Sequence, residues 1–132
     1  MKKKLELDFG ILKIYDNILV SELKEGILFD IESNRKLLEI GAMEFKGRAY
    51  GYISNRIFSY AVDPMVYREA ADFINLKAIA VVTSDPICRS SAMIEKKFFR
   101  SKNSFEIFEA FDDARAWINK ELFPIQRKDP DQ

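Results

Sequence analysis

The segment that most limits how this chain can fold is Ala78-Ile79-Ala80-Val81-Val82, a continuous apolar run closed by Ser84-Asp85-Pro86. An extended segment without polar alternation has no solvent face, and such strands belong in the middle of parallel sheets covered on both sides. The residues that follow agree with this, because Asp85 suits a helix N-cap and Pro86 the first helical position. A strand that runs straight into a helix is half of a β-α-β unit. The rest of the chain then reads as what pairs with that strand and what covers it.

Toward the amino end, Leu5, Leu7 and Phe9 alternate with Glu6 and Asp8, the period of a half-buried strand. The parity shifts at Gly10, with Leu12 and Ile14 beyond it, which predicts one bent strand with a bulge at the glycine. Tyr15-Asp16-Asn17 predicts a turn into a strand over 18–23, forming an antiparallel hairpin. Asp30 is the expected cap of a helix whose apolar face is Ile31, Leu38, Gly41, Ala42 and Phe45, ended by Lys46-Gly47. A strand over 48–54 follows, with Ala49, Gly51 and Ile53 on one face and Tyr50 and Tyr52 on the other.

Residues 55–62 are irregular, and Asp63-Pro64 opens a helix with Val66, Ala70, Phe73 and Ile74 on one face. The helix from Pro86 places Ile87, Ser91, Ile94 and Phe98 in register. Residues 104–109 alternate as a last strand. Asp112 then caps a helix with Ala114, Trp117, Ile118 and Leu122 on its apolar face, and Pro124 stops it. Strands separated by helix-length connections are predicted to be parallel. The expected fold is α/β: a five-stranded, mostly parallel sheet with an N-terminal antiparallel hairpin and four main helices. One domain is expected over 1–125, with 126–132 a polar, disordered tail.

At 132 residues the chain is long enough to bury a sizeable core as a single domain. Charges balance at 21 against 21 with no basic stripe, so nucleic acid is not an expected partner. The absence of histidine removes the commonest general base and the commonest metal ligand. A single cysteine, Cys88, excludes an internal disulfide and a multi-cysteine zinc site, and no cofactor is expected. Lys2-Lys3-Lys4 leads into alternation instead of a signal-peptide core, and no apolar run approaches the ~20 residues of a membrane span. A cytoplasmic protein is expected.

The best candidate site is the connection over 54–63, because ligands of open α/β sheets sit beyond the carboxyl ends of the strands. Tyr52, Ser54, Asn55, Arg56, Ser59 and Tyr60 would supply its hydrogen-bonding groups. The same residues also fit a surface loop in which Phe58 and Tyr60 tuck into the core and Arg56 forms a structural ion pair. Stability separates the two. Outward donors predict a loss of about 0.5 kcal/mol or less for Arg56→Ala, and a buried partner predicts more than ~2 kcal/mol. Asp63 and Asp85 are helix caps before they are a catalytic pair, and Cys88, in the first turn of its helix, reads as a small buried thiol. The 11 phenylalanines read as core, with a lipid pocket as the alternative.

This order of elements, together with Phe111-Asp112-Asp113-Ala114-Arg115-Ala116-Trp117-Ile118, resembles the STAS and SpoIIAA-like proteins, which carry a Phe-x-x-x-x-Ala-Trp-Leu type ending. The resemblance implies a non-enzymatic bacterial regulatory or protein-interaction module with an unidentified protein partner. Family members include anti-sigma-factor antagonists, transporter-attached regulatory domains and stress-response adaptors. The related CRAL-TRIO branch implies the alternative, a carrier or sensor of a small lipophilic ligand. Partner-switching members have an Asp-x-Ser-Gly-type phosphorylation motif between the third strand and its helix. Residues 54–64 here have serines but neither a glycine nor Asp-x-Ser, so a kinase-controlled switch is not implied. An exposed edge strand would also permit a homodimer. A preformed apolar pocket of a few hundred Å³ would mark the carrier, and a filled core with an exposed apolar patch the module.

Overall fold

The structure, a computed structural model, describes residues 1–73, 75–99 and 104–127, with side chains described to Phe123 in the last helix. Its elements are β1 (Lys3–Leu7), β2 (Gly10–Ile14), β3 (Ile18–Leu23), β4 (Leu28–Phe29), α1 (Ile31–Phe45), β5 (Tyr50–Asn55), β6 (Ala61–Val62), α2 (Val66–Ala70), β7 (Leu76–Val82), α3 (Pro86–Lys96), β8 (Ser104–Phe108) and α4 (Phe111–Arg127). The apolar run is β7, and it lies between β5 and β8, parallel to both. Ala78, Ile79, Ala80 and Val81 are each 1% exposed or less, as a strand covered on both faces requires.

Six strands form the main sheet in the order β1-β2-β3-β5-β7-β8. Strands β3, β5, β7 and β8 are parallel, and β1 and β2 extend the sheet antiparallel at one edge. Alternate residues of the parallel strands feed two cores. On one side Tyr50, Tyr52, Ile79 and Val81 meet Leu37, Leu38 and Phe45 of α1, Val66, Tyr67 and Ala70 of α2 and Ala92 of α3. On the other Ile53, Ala78, Ala80 and Val82 meet Ala114, Ile118 and Leu122 of α4. No helix among the described residues is long and apolar enough to cross a membrane.

The expected bulge at Gly10 is a chain reversal. Leu7 pairs with Gly10, so Asp8 and Phe9 form a two-residue turn, and the single bent strand becomes two, giving six strands in place of five. The glycine is needed for close approach, since a Cβ there would lie 2.7 Å from the Glu22 carbonyl oxygen and the Leu23 Cα of β3. A second small sheet pairs β4 with β6 in parallel; β6 lies within the stretch read as irregular, and β4 in a connection to which the sequence assigns no element. Strands of two residues are too short to show a period.

Asp30 caps α1 as expected, accepting the Ser33 N–H at 2.9 Å, and the helix ends with Lys46 at φ 50° before Gly47. Its buried face differs in detail. Ala42 is exposed, while Asn34 and Leu37 turn inward, and Asn34 donates from Nδ2 to the Val66 carbonyl at 3.1 Å, tying α1 to α2. Helix α2 is only five residues long, so Phe73 lies past its end; Ile74 is outside the described residues. Asp63 takes the Met65 N–H at 3.0 Å in the turn before it. Helix α4 starts at Phe111, which puts Asp112 and Asp113 in its first turn. It continues through Pro124 to Arg127. A late proline forfeits one intrahelical bond, and here the burial of Ala114, Ile118 and Leu122 already holds the helix. Residues 128–132, expected as a disordered tail, lie outside the described residues.

Gly51 shows how closely α4 sits on the sheet. It pairs with Ala78 on β7, and a Cβ at Gly51 would overlap the side chain of Ile118. Gly51→Ala is therefore expected to destabilise by about 1–3 kcal/mol in a urea melt, the usual range for overpacking a filled core. An unchanged midpoint would mean that α4 can shift outward at no cost.

Candidate functional site

Strand β5 carries the chain up to its carboxyl end, and the Arg56 N–H continues the ladder by donating to the Val82 carbonyl at 2.9 Å. That bond fixes the root of the side chain above β7. The guanidinium then meets Glu95 of α3 in a two-pronged pair: Nη1 donates to Oε2 at 2.9 Å and Nη2 to Oε1 at 2.5 Å. Nη2 also donates to the Tyr67 hydroxyl at 3.2 Å, Nη1 to Cys88 Sγ at 3.9 Å, and Nε to Ser54 Oγ at 3.1 Å. All five N–H groups of the guanidinium are thereby used. Tyr67 in turn donates its hydroxyl proton to Glu95 Oε1 at 2.6 Å. The side chains of Arg56 and Glu95 are 4% and 6% exposed.

Burial works hardest against charge on Arg56, but the hydrogen-bonded Glu95 carboxylate and the neighbouring Tyr67 and Tyr60 phenol groups together outweigh it, and the pKa stands well above the ordinary guanidinium value. Burial pushes the phenols of Tyr60 and Tyr67 upward, more than the neighbouring Arg56 pulls them down. Both therefore stay protonated at neutral pH, which lets Tyr67 act as a donor. The Tyr60 ring faces the guanidinium with its centroid 5.6 Å away, and its hydroxyl bonds Ser54 Oγ at 2.9 Å.

The donors of Arg56 thus point inward: of the two arrangements the sequence allows, it forms the structural ion pair and is not an outward binding group. The remaining predicted site residues separate. Tyr52 is buried with its hydroxyl on Ser21 Oγ, and Asn55 donates to Glu22 Oε2 at 3.2 Å, back toward β3. Ser54 holds Arg56 and Tyr60 from below, and Ser59 and Tyr60 reach the surface feature that the cluster supports. Phe58 is not tucked into the core; it is 50% exposed, beside exposed Ile57.

That feature is an open groove of about 370 Å³ between residues 59–64 and α3. One wall is Ser59, Ala61, Val62 and Pro64, the other is Ile87, Ser91 and Ile94, and the Arg56–Glu95 pair lies beneath. Helix α3 therefore presents a different face from the one expected. Ile87 is 78% exposed and Ile94 57%, while Ala92 and Glu95 are buried. Its sequence allows either face inward, and the buried guanidinium of Arg56, which needs a carboxylate, selects the face with Glu95. Glu95 and Tyr67 are site residues that the sequence reading does not pick out. The signal for Glu95 is its spacing, seven residues after Cys88 and three after Ala92, on the small-residue face of the helix.

Chemically the cluster is closed: its charges cancel and its donors are used. What remains for a ligand is two apolar walls with the hydroxyls of Ser59 and Ser91 and, at the start of α3, the exposed carboxylate of Asp85. Among the described residues there is no group of three or more His, Cys, Asp or Glu side chains that could hold a metal. Inside the core, a cavity of about 20 Å³ lined by Leu19, Phe29, Leu38 and Tyr50 has room for a single water. Compared with protein-family models, with curated proteins and with solved structures, the chain matches none.

Proposed function

We propose that this protein is a non-enzymatic regulatory or protein-interaction module of the STAS/SpoIIAA-like kind, with the groove beside α3 as its binding surface. The observation that carries this reading is the contrast between a filled core and an apolar surface at the carboxyl end of the parallel strands. The internal cavity is about 20 Å³, whereas Ile87 and Ile94 stand exposed along the groove, and Ile57 and Phe58 stand exposed on the loop that leads to it. Exposed apolar groups gathered at one end of a domain mark contact surfaces more often than accidents. The closed Arg56–Glu95–Tyr67 cluster then serves as the foundation that holds the two walls of the groove.

The second reading, a carrier of a small lipophilic ligand, draws on the groove volume of about 370 Å³. Ligand sites of that size normally enclose most of the ligand, and this one is open along its length. Native mass spectrometry of protein extracted without detergent separates the two. The module is expected to fly at the mass of the bare chain or its multiples. A stoichiometric lipid adduct lost in Ile94→Asp would establish the carrier instead. Because Ile94 is exposed, that substitution should move stability by no more than about 0.5 kcal/mol.

A further inference from the structure

We infer that the groove accepts an extended peptide segment of a partner protein, which pairs with the open edge of β6 and turns apolar side chains toward α3. This rests on the reading of the groove as a protein-binding surface. The backbone supplies the first argument. The Ser59 carbonyl accepts the Gly26 N–H at 2.9 Å, the Ala61 N–H donates to the Ile27 carbonyl at 3.0 Å, and the Asp63 N–H donates to the Phe29 carbonyl at 3.0 Å. Residues 59, 61 and 63 thus face the segment containing β4. An extended chain alternates, so Tyr60 and Val62 send their N–H and C=O groups the other way. Leu28 and Phe29 of β4 do not line the groove, whereas Ser59, Tyr60, Ala61 and Val62 all do, which places that other edge on the groove. Among the described residues these four backbone groups have no protein partner. An edge of this kind is a template for one more strand.

The opposite wall fits the same occupant. Ile87, Ser91 and Ile94 recur at i, i+4 and i+7 along α3, which spans about 10 Å, the length of roughly three extended residues. Same-face side chains of a strand stand about 7 Å apart, so two of them fit within that span along the wall that runs from Ile87 to Ile94. A helical occupant would be ~10–12 Å across and would leave the edge of β6 unpaired. Charge narrows the partner further. Arg56 and Glu95 neutralise each other, and the remaining lining charge is Asp85, exposed at the start of α3 and in no ion pair among the described residues. The complementary segment is apolar at alternate positions, uncharged through its middle, and carries a Lys or Arg at the Asp85 end.

The test is selection of a displayed random-peptide library on the full-length protein, followed by affinity measurements on the enriched peptides. Apolar residues are expected at every second position, next to a basic residue whose preference weakens in Asp85→Asn. Val62→Pro, which deletes one edge N–H, and Ile94→Asp should each weaken binding by about tenfold or more. Met43→Asp, at an exposed site on α1, should leave it unchanged. Methylating the peptide's backbone nitrogens one at a time gives an independent readout on the unmodified protein, with losses expected only at alternate positions. Enriched sequences of helical period, or a binding that tolerates every N-methylation, would overturn the strand-pairing mode while keeping the groove. Peptides indifferent to Ile94→Asp, or no enrichment at all, would overturn the groove as a protein-binding surface.

Discussion

Replacing Arg56 with alanine is expected to cost about 3–5 kcal/mol in a urea melt, the usual penalty for removing one member of a buried ion pair. The loss arises from what stays behind. Glu95, 6% exposed, would keep its carboxylate and the Tyr67 hydrogen bond but lose both bonds to the guanidinium. Tyr60 would lose the cation on its ring, and Ser54 one of its partners. The pair need not be net stabilising for this to hold. Arg56→Met combined with Glu95→Leu is expected to recover most of the loss, because an apolar replacement of similar size removes the orphaned charge. A loss below about 1 kcal/mol for Arg56→Ala would mean that water reaches the pair in solution.

Stability is expected to collapse between pH 10 and 12. Burial raises the Tyr50 phenol from its ordinary 10.0 to about 12, and burial also pushes Tyr52, Tyr60 and Tyr67 upward. The sign follows from proton counting. Below the ordinary phenol value both states hold the proton, and stability is complete. Above it the unfolded chain releases protons that the folded chain keeps, so each step in pH favours unfolding until the folded groups ionise as well. For Tyr50 alone a change from 10.0 to about 12 corresponds to roughly 3 kcal/mol. The other three add to it. Urea melts from about pH 8 to about pH 12 should fall along this window, and Tyr50→Phe should flatten the slope. Stability that stays level up to pH 12 would show that these phenols are not buried.

The parts of the fold legible in the sequence are those where burial leaves a long pattern. Residues 78–82 show both faces apolar because β5 and β8 flank them and helices cover them. Ala114, Ile118 and Leu122 repeat at fixed intervals because α4 buries one stripe against the sheet. Where the pattern is short or ambiguous, reading stops. Asp8-Phe9 carries none of the usual two-residue turn signature, so the reversal before Gly10 looks like a parity slip. The site hides for a different reason. Arg56 and Glu95 are 39 residues apart, so Arg56 alone reads equally as an outward donor or as half of an ion pair, and nothing in the sequence names Glu95 as the other half. Only the packing of α3 reveals that they bury one another. That pairing also sends the isoleucines of α3 outward, contrary to the rule that places the larger apolar residues inside.

The connection from Arg56 to Tyr60 is fastened at both ends and beneath. The Arg56 N–H is bonded to β7, the Ser59 carbonyl to Gly26, and the side chains of Arg56 and Tyr60 are held by Ser54. A loop with free ends surrenders its conformational freedom when a partner arrives, and association slows while it orders. Here that freedom is given up during folding, and the opposing wall is clamped to it through Glu95. Docking at this groove is then an encounter with a surface already in its final shape. The association rate should fall in the ordinary range for preformed surfaces, about 10⁵–10⁷ M⁻¹s⁻¹. Occupants of different affinity would be told apart by how long they stay.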